Sequence, residues 1–251
     1  MFKTLRNALK VKDIRNGLLF TFFILIVIRF GSMIPVPGLN TAAVKEYLES
    51  ALGDANSFLS SFTGGSFTQM SIFALNVTPY ITSSIIIQLL TIAIPALEEM
   101  QKDGEDGRKK MTAITRYVTI LLSIIESVGL AIGFSRGHYL TISGPLGFIV
   151  IIITLTAGSA FVMWLGERIT DYGVGNGISI ILLINIVSRM PSDFSSLYEM
   201  FIKNKDIANQ VIAAAIILAV IVVTVILVVL LQDGVRKIPV QYAQKVQGRR
   251  M

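Results

Sequence analysis

Long apolar stretches separated by short charged segments dominate the sequence. Six of them approach the ~20 apolar residues that an α-helix needs to cross ~30 Å of hydrocarbon. They cover residues 18–34, 72–97, 118–134, 147–165, 178–190 and 211–231. The pattern therefore predicts an all-α, polytopic helical membrane protein with six spans, in which the short fifth span depends on its neighbours or its flanks.

The basic residues indicate which ends face the cytoplasm. Sixteen of the 22 Lys and Arg residues lie before the first span or in the segments after the second, fourth and sixth spans, whereas five lie on the opposite side, with Arg189 at the end of the fifth span. Lys and Arg accumulate in the cytoplasmic loops of membrane proteins. Both the amino-terminal tail and the segment after the sixth span are therefore predicted to be cytoplasmic.

The composition limits the kinds of functional site that the chain can contain. The 251 residues are 53% hydrophobic and 15% charged, with no Cys and one His. These counts exclude disulfides, thiolate sites, cysteine nucleophiles and multi-histidine metal sites. No catalytic constellation stands out either. We expect no cofactor, no metal and no enzymatic activity, and interpret the chain as a channel, a transporter or an assembly component.

A stretch rich in Ser, Gly and Phe, residues 56–76, interrupts the apolar pattern. It is too polar for lipid and too apolar for a solvated loop. Two interpretations stay open from the residues alone. One is a loop on the outer membrane surface; the other is a re-entrant half-helix broken at Gly64-Gly65, which survives at membrane depth only when buried in protein or beside a cavity. Pro79 then predicts a helix restart.

A glycine-rich segment, residues 173–177, precedes the fifth span. A glycine-rich loop before a helix can bind phosphate, but here no strand precedes the segment and no Lys follows it. The favoured interpretation is a tight turn whose following helix begins at a glycine or asparagine cap.

Polar residues inside the spans are the remaining candidates. Arg29 in the first span and Glu126 in the third lie at similar depth. They form a pair under one hypothesis, and under the other each meets a separate partner such as a backbone carbonyl. Asn185 and Gln88 are predicted to make interhelical hydrogen bonds.

Several short sequence motifs say more about the family of this chain than its composition does. They are Ile34-Pro35-Val36-Pro37-Gly38, the run from Thr78-Pro79-Tyr80 to Gln88-Leu89-Leu90, Gly104-Glu105-Asp106-Gly107-Arg108-Lys109-Lys110, Thr115-Arg116-Tyr117, Met163-Trp164-Leu165-Gly166-Glu167, Gly175-Asn176-Gly177-Ile178-Ser179-Ile180 and Gln247-Gly248-Arg249-Arg250. In this order and spacing the chain closely resembles the bacterial SecY family, the channel subunits of the protein-secretion translocon, along essentially its whole length.

The resemblance implies a ten-helix channel of two inverted halves, of which this chain supplies the first half and one further helix. The expected parts are a cytoplasmic tail (1–16), the first channel half (17–190, with a plug at about 56–70), an external loop (191–210), a sixth span (211–231) and the start of a cytoplasmic loop (232–251).

The resemblance also assigns residues. The expected pore ring is Ile81, Ile85, Leu182 and Ile186. The expected lateral gate includes Thr82 and Gln88. The expected plug consists of Ser60, Ser61, Phe62, Thr63, Gly64, Gly65, Ser66 and Phe67. The expected docking residues for cytoplasmic partners are Arg108, Lys109, Lys110, Arg236, Lys237, Arg249 and Arg250.

The function implied is passage of unfolded secretory polypeptides across the bacterial cytoplasmic membrane and lateral release of membrane segments into it. The partners implied are the SecE and SecG subunits, the SecA motor ATPase, the ribosome, signal-sequence-bearing polypeptides and membrane lipids. Two other classes stay open: a small-solute transporter with inverted repeats and broken helices, and a nonconducting assembly factor.

Overall fold

The computed structural model describes residues 10–142, 144–201 and 207–235. Within these ranges it has helices, turns and two isolated bridge pairs, which confirms the predicted all-α class. A first unit runs to Pro191 and a second begins at Ser192. The helices are α1 (Lys12–Gly31), α2 (Thr41–Leu52), α3 (Asp54–Thr63), α4 (Thr78–Ala93), α5 (Pro95–Lys102), α6 (Gly104–Arg136), α7 (Pro145–Tyr172), α8 (Gly177–Phe201) and α9 (Ile207–Gln232).

Among the described residues, five helices are long and apolar enough to cross a membrane. They are α1, α6, α7, α8 and the part Gln210–Gln232 of α9. The pair α4 and α5 also passes when taken together, but it is bent by 104°. The predicted six spans therefore correspond to five single helices and one bent pair.

The predicted second span, 72–97, is wrong in its boundaries. Residues 72–77 are turns, α4 begins at Thr78, and the helix ends at Ala93. Ile94 is extended (φ −113°, ψ 109°), as expected before a proline. Pro95 then starts α5 in a new direction. The predicted restart near Pro79 is confirmed, because this proline lies in the first turn of α4.

Two other helices extend beyond their apolar stretches. Helix α6 begins at Gly104, well before residue 118, and α8 continues through Pro191 to Phe201. The range 191–201, expected as external loop, is therefore helical. Hydropathy measures only the part of a helix that matches hydrocarbon, so it misses polar turns that extend beyond the bilayer core.

The first unit has two buried apolar clusters. One joins α2 and the 70–75 segment to α6 and α7, and its fully buried members include Val44, Met70, Ala131 and Leu155. The other joins α1, α7 and α8 around Phe73, and includes Ile24, Ile28, Val77, Val162, Leu165, Ile169 and Ile181. The segment that follows α3 is thus packed between helices of both clusters.

Hydroxyl groups form part of the helix packing between α4, α6 and α7. Thr115, Thr119, Ser123 and Ser127 lie every four residues on the buried face of α6. Ser83 of α4 is 2.6 Å from Thr119, and Thr156 of α7 is 3.3 Å from Ser127, oxygen to oxygen. Such contacts help to associate helices in lipid, where the hydrophobic effect does not.

The turn before α8 is the predicted capped turn. Asn176 Oδ1 accepts a hydrogen bond from the Ser179 amide at 3.2 Å, and Thr170 Oγ1 accepts from the Gly177 amide at 2.9 Å. The amide of Val174 donates to Thr21 Oγ1 on α1 at 3.2 Å. The glycine-rich segment is therefore used for capping and for packing against α1.

Candidate functional site

The helix break predicted at Gly64-Gly65 is confirmed. Helix α3 ends at Thr63, and both glycines are left-handed, with φ of +64° and +87°. A side chain there would be strained, and a Cβ on Gly64 would lie 2.6 Å from Arg29 Nη1. The expected plug residues, 60–67, therefore form the last turn of α3 and the reversal that follows it.

The segment after α3 is tied to itself and to the end of α1. Within it, Thr68 Oγ1 hydrogen bonds with the Ser60 hydroxyl and donates to Asn56 Oδ1 at 3.3 Å. Towards α1, the Val36 amide donates to the Met70 carbonyl and the Ile72 amide to the Ile34 carbonyl, both at 2.9 Å. The string 34–38 thus serves as a docking edge for this segment.

Three side chains meet the carbonyl end of α3. Arg29 Nη1 donates to the Gly64 carbonyl at 3.2 Å, Asn185 Nδ2 to Phe62 at 3.3 Å and Asn76 Nδ2 to Thr63 at 3.5 Å. Within the part of the chain that the structure describes, no ion pair joins Arg29 to Glu126. The pairing hypothesis is wrong, and Arg29 has the backbone-carbonyl partner of the alternative.

Residues expected in the pore ring lie on facing helices. Ile81 and Ile85 of α4 and Leu182 of α8 line one open groove of about 690 Å³. Ile186 is not among its lining residues, although its position one turn after Leu182 puts it on the same face of α8. Ile85 is 52% exposed and Ile186 41% exposed, so much of this apolar surface is uncovered.

The two expected gate residues differ in their relation to this groove. Gln88 lies on the face of α4 that carries Ile81 and Ile85, whereas Thr82 lies on a neighbouring face and donates to the Thr78 carbonyl at 3.1 Å. Both side chains are exposed. Among the described residues the Gln88 side chain has no hydrogen-bond partner, whereas the interhelical bond predicted for Asn185 is confirmed.

The other end of the groove is charged. Arg108 and Lys109, expected to dock cytoplasmic partners, line it together with Arg116, Glu167 and Asp171. Arg116 Nε is 2.6 Å from Glu167 Oε1, so an ion pair joins α6 to α7 at this point. Lys110 is exposed outside the groove. The other expected docking residues, Arg236, Lys237, Arg249 and Arg250, lie outside the described residues.

The ion pair between Arg116 and Glu167 and the contact of Asn76 with α3 have no clear signal in the sequence. Arg116 and Glu167 are separated by 51 residues, so no local spacing indicates that they form a pair. Asn76 adopts a left-handed backbone (φ +50°) before α4, which asparagine tolerates better than most residues. Across residues 10–142, 144–201 and 207–235, no group of three His, Cys, Asp or Glu side chains is placed to hold a metal.

A family model described as SecY matches residues 71–251. The chain belongs to the SecY family. SecY is a channel subunit and not a known enzyme.

SecY proteins of several bacteria are similar to the chain along its whole length. The protein translocase subunit SecY of Bacillus subtilis is 43% identical over 97% of the chain, and that of Staphylococcus carnosus is 40% identical over 100%. The match covers 57% and 59% of those two proteins. The chain therefore spans somewhat more than half the length of the curated relatives it matches.

Two solved structures share the fold. One, described as the structure of a protein conducting channel, has a TM-score of 0.51, with 21% identity over 71% of this chain and 37% of that one. The other is Sec61 in a canine ribosome-channel complex from the endoplasmic reticulum, with a TM-score of 0.58 and 20% identity over 90% of this chain and 50% of that one.

Proposed function

We propose that the chain forms the first part of a protein-conducting channel that passes unfolded secretory polypeptides across the membrane and releases membrane segments laterally. One observation carries the proposal. The groove reaches Leu182 on α8, and one turn further along α8 the side chain of Asn185 holds the end of α3. The groove and the proposed plug therefore both contact helix α8.

The groove is apolar in the part that lies next to the proposed plug. Ile81, Ile85, Leu182 and Ile186 present branched aliphatic side chains from two helices, and they form one side of the proposed pore ring. A narrow apolar constriction disfavours water and ions while it can fit around a passing chain. Residues 60–67 act as the plug, and Thr82 and Gln88 belong to the lateral gate, through which a signal sequence enters lipid.

The charged end of the groove faces the cytoplasm in this proposal. Arg108, Lys109 and Lys110, together with Arg236, Lys237, Arg249 and Arg250, supply a basic surface for an acidic protein or for ribosomal RNA. The partners are the SecA motor ATPase and the ribosome on this side, and SecE and SecG within the membrane. The solved relative in a ribosome complex supports the ribosome as a partner.

The protein lies in the bacterial cytoplasmic membrane with its amino terminus in the cytoplasm. Its parts are the tail 1–16, the channel half 17–190, the external connection 191–210, the span 211–231 and the start of a cytoplasmic loop at 232–251. It has no catalytic step of its own, because the driving energy comes from the motor or from translation. The orientation rests on the distribution of Lys and Arg.

The experiment places the chain in a complete channel, joined to the remaining carboxy-terminal part of the Bacillus subtilis relative. Ile81, Ile85 and Ile186 are each replaced by Asn. We expect a higher ion conductance at rest and export of proteins with defective signal sequences, because a polar ring admits water. The matched control is Ile153→Asn on α7, an exposed isoleucine that does not line the groove. Unchanged conductance and selectivity in all three variants would contradict the pore assignment.

A further inference from the structure

The carbonyl end of α3 is held by side chains from three separate parts of the first unit. The last carbonyls of an α-helix have no partner inside the helix. Here those of Phe62, Thr63 and Gly64 accept hydrogen bonds from Asn185 of α8, from Asn76 of the turn before α4 and from Arg29 of α1. We infer that these three donors, named here the carbonyl clamp, keep the plug closed, an inference that rests on the proposed channel function.

The burial of the clamp shows that its bonds matter. Asn185 is 0% exposed and Asn76 1% exposed, and Arg29 is half-buried near the end of an apolar helix. A polar group withdrawn from water is costly unless it is hydrogen bonded. Losing the carbonyls of α3 would leave these donors without their partners, so the docked position of α3 is strongly preferred.

The geometry at Gly64 makes the contact specific. A Cβ there would lie 2.6 Å from Arg29 Nη1 and 3.0 Å from Asn185 Oδ1, so side chains from α1 and α8 converge on this residue. Only a glycine leaves room for both. The helix break and the clamp are therefore parts of one arrangement, in which the left-handed Gly64 turns its carbonyl towards the guanidinium.

Charge adds to the hydrogen bond at Arg29. A cation at the carboxyl end of a helix interacts favourably with the helix dipole. Within the described part of the chain no carboxylate forms an ion pair with Arg29, so its charge is directed at the end of α3. Arg29 therefore contributes a charged donor to the clamp, whereas Asn185 and Asn76 contribute neutral amides.

Asn76 is the least suitable member for a test. Its Oδ1 accepts from the Val77 amide at 2.9 Å, and its carbonyl accepts from Ser159 Oγ at 3.2 Å. It therefore fixes its own turn and the contact with α7 as well as α3. A substitution there would disturb the start of α4, whereas Arg29 and Asn185 can be changed without breaking a turn.

The test measures exposure of the plug in the complete channel described above. The chain has no Cys, and Ser66 beside the clamp is 1% exposed with a hydroxyl that bonds to no described residue. Ser66→Cys therefore introduces one protected thiol of similar size. Its rate of modification by a membrane-impermeant maleimide is compared in Arg29→Gln, Arg29→Lys and Asn185→Leu backgrounds.

Loss of either donor should raise the modification rate about tenfold, the effect of one buried hydrogen bond. Arg29→Lys keeps the cation and should raise it less than Arg29→Gln. The controls are Ser188→Ala, which removes a hydroxyl bonded within α8, and Arg15→Gln on the exposed surface of α1. Both should leave the rate unchanged.

Resting ion conductance separates this inference from the channel proposal. A faster modification of the introduced cysteine together with a higher conductance supports both the clamp and the channel proposal. A faster modification with unchanged conductance supports a clamp on α3 and contradicts its role in closing a pore. An unchanged modification rate in Arg29→Gln and Asn185→Leu overturns the clamp, as does an equal rise in the two controls. If Arg29→Gln does not accumulate in the membrane, Arg29→Lys and Asn185→Leu still decide.

Discussion

At the scale of single residues, small side chains set how closely the segment after α3 approaches its neighbours. A Cβ on Gly31 would overlap the ring of Phe73, and a Cβ on Gly158 would overlap the carbonyl of Ile72. Both glycines lie in ordinary helices, so they are needed for the space they leave and not for their backbone conformation. They allow residues 71–77 to lie directly against α1 and α7.

This close approach predicts that alanine substitutions at two helical glycines change the stability of the protein by different amounts. Gly158→Ala should destabilise the protein by about 1–3 kcal/mol, because the methyl group meets a backbone carbonyl that cannot move aside. Gly129 of α6 has open space where its Cβ would be, and Gly129→Ala should leave stability unchanged or raise it by up to ~1 kcal/mol. Thermal unfolding in detergent measures both, and equal shifts of the two midpoints would contradict the packing argument.

Sequence reasoning found the polar residues of the site more readily than their partners. Arg29 and Asn185 stand out because charges and amides are rare in apolar spans, and the hydrogen-bonding role of Asn185 follows from that alone. The partner of Arg29 did not follow. A backbone carbonyl has no sequence signature, and the Gly64 carbonyl is exposed to Arg29 only because a left-handed turn ends α3.

At the scale of helices, hydroxyl groups fix the pairing of α4 with α6. Ser83 and Thr119 are both buried, and their oxygen atoms are 2.6 Å apart. The contact joins α6 to α4, and in the proposed function α4 carries the gate residues. These two helices should therefore move together when the gate opens.

A double-mutant cycle tests the pairing. Ser83→Ala and Thr119→Val should each destabilise the protein, with a coupling energy of about 0.6 kcal/mol and at most ~1.7, the range for hydrogen bonds between membrane helices. Ser123→Ala is the matched control, since its hydroxyl donates within α6, to the Ile120 carbonyl at 2.8 Å. Additive effects for Ser83 with Thr119 would show that the contact contributes nothing.

Helix existence was predictable from apolar length, but helix boundaries were not. The spans near α1, α6, α7, α8 and α9 were predicted because an apolar stretch of this length has few alternatives in a protein this poor in charge. The failures occur at particular residues: Ile94, where the proline that follows bends the helix by 104°, and Phe201, where α8 ends beyond an internal proline. One proline begins a new helix and the other lies inside a continuous one, so the presence of a proline alone does not fix a helix boundary.

At the scale of the whole molecule, the distribution of charge and the order of helices together predict how the chain is oriented in the membrane. In the proposed function, helix α2 follows the first span and therefore lies on the side opposite to the tail. The start of α6 follows the bent pair of α4 and α5, so in the proposed function it lies on the same side as the tail. The excess of Lys and Arg on that second side predicts that it is the cytoplasm.

Single cysteines can check this orientation directly, because the chain contains none. If the proposed location and orientation hold, Glu46→Cys on α2 and His138→Cys after α6 should react with an impermeant maleimide applied from outside the cell. Glu105→Cys at the start of α6 and Asp171→Cys at the end of α7 should react only after the membrane is opened. All four positions are exposed in the first unit, so access to the reagent depends on the membrane and not on burial. The opposite result at Glu46 and Glu105 would reverse the orientation, and the same side for both would mean that α4 and α5 together form a re-entrant loop that does not cross.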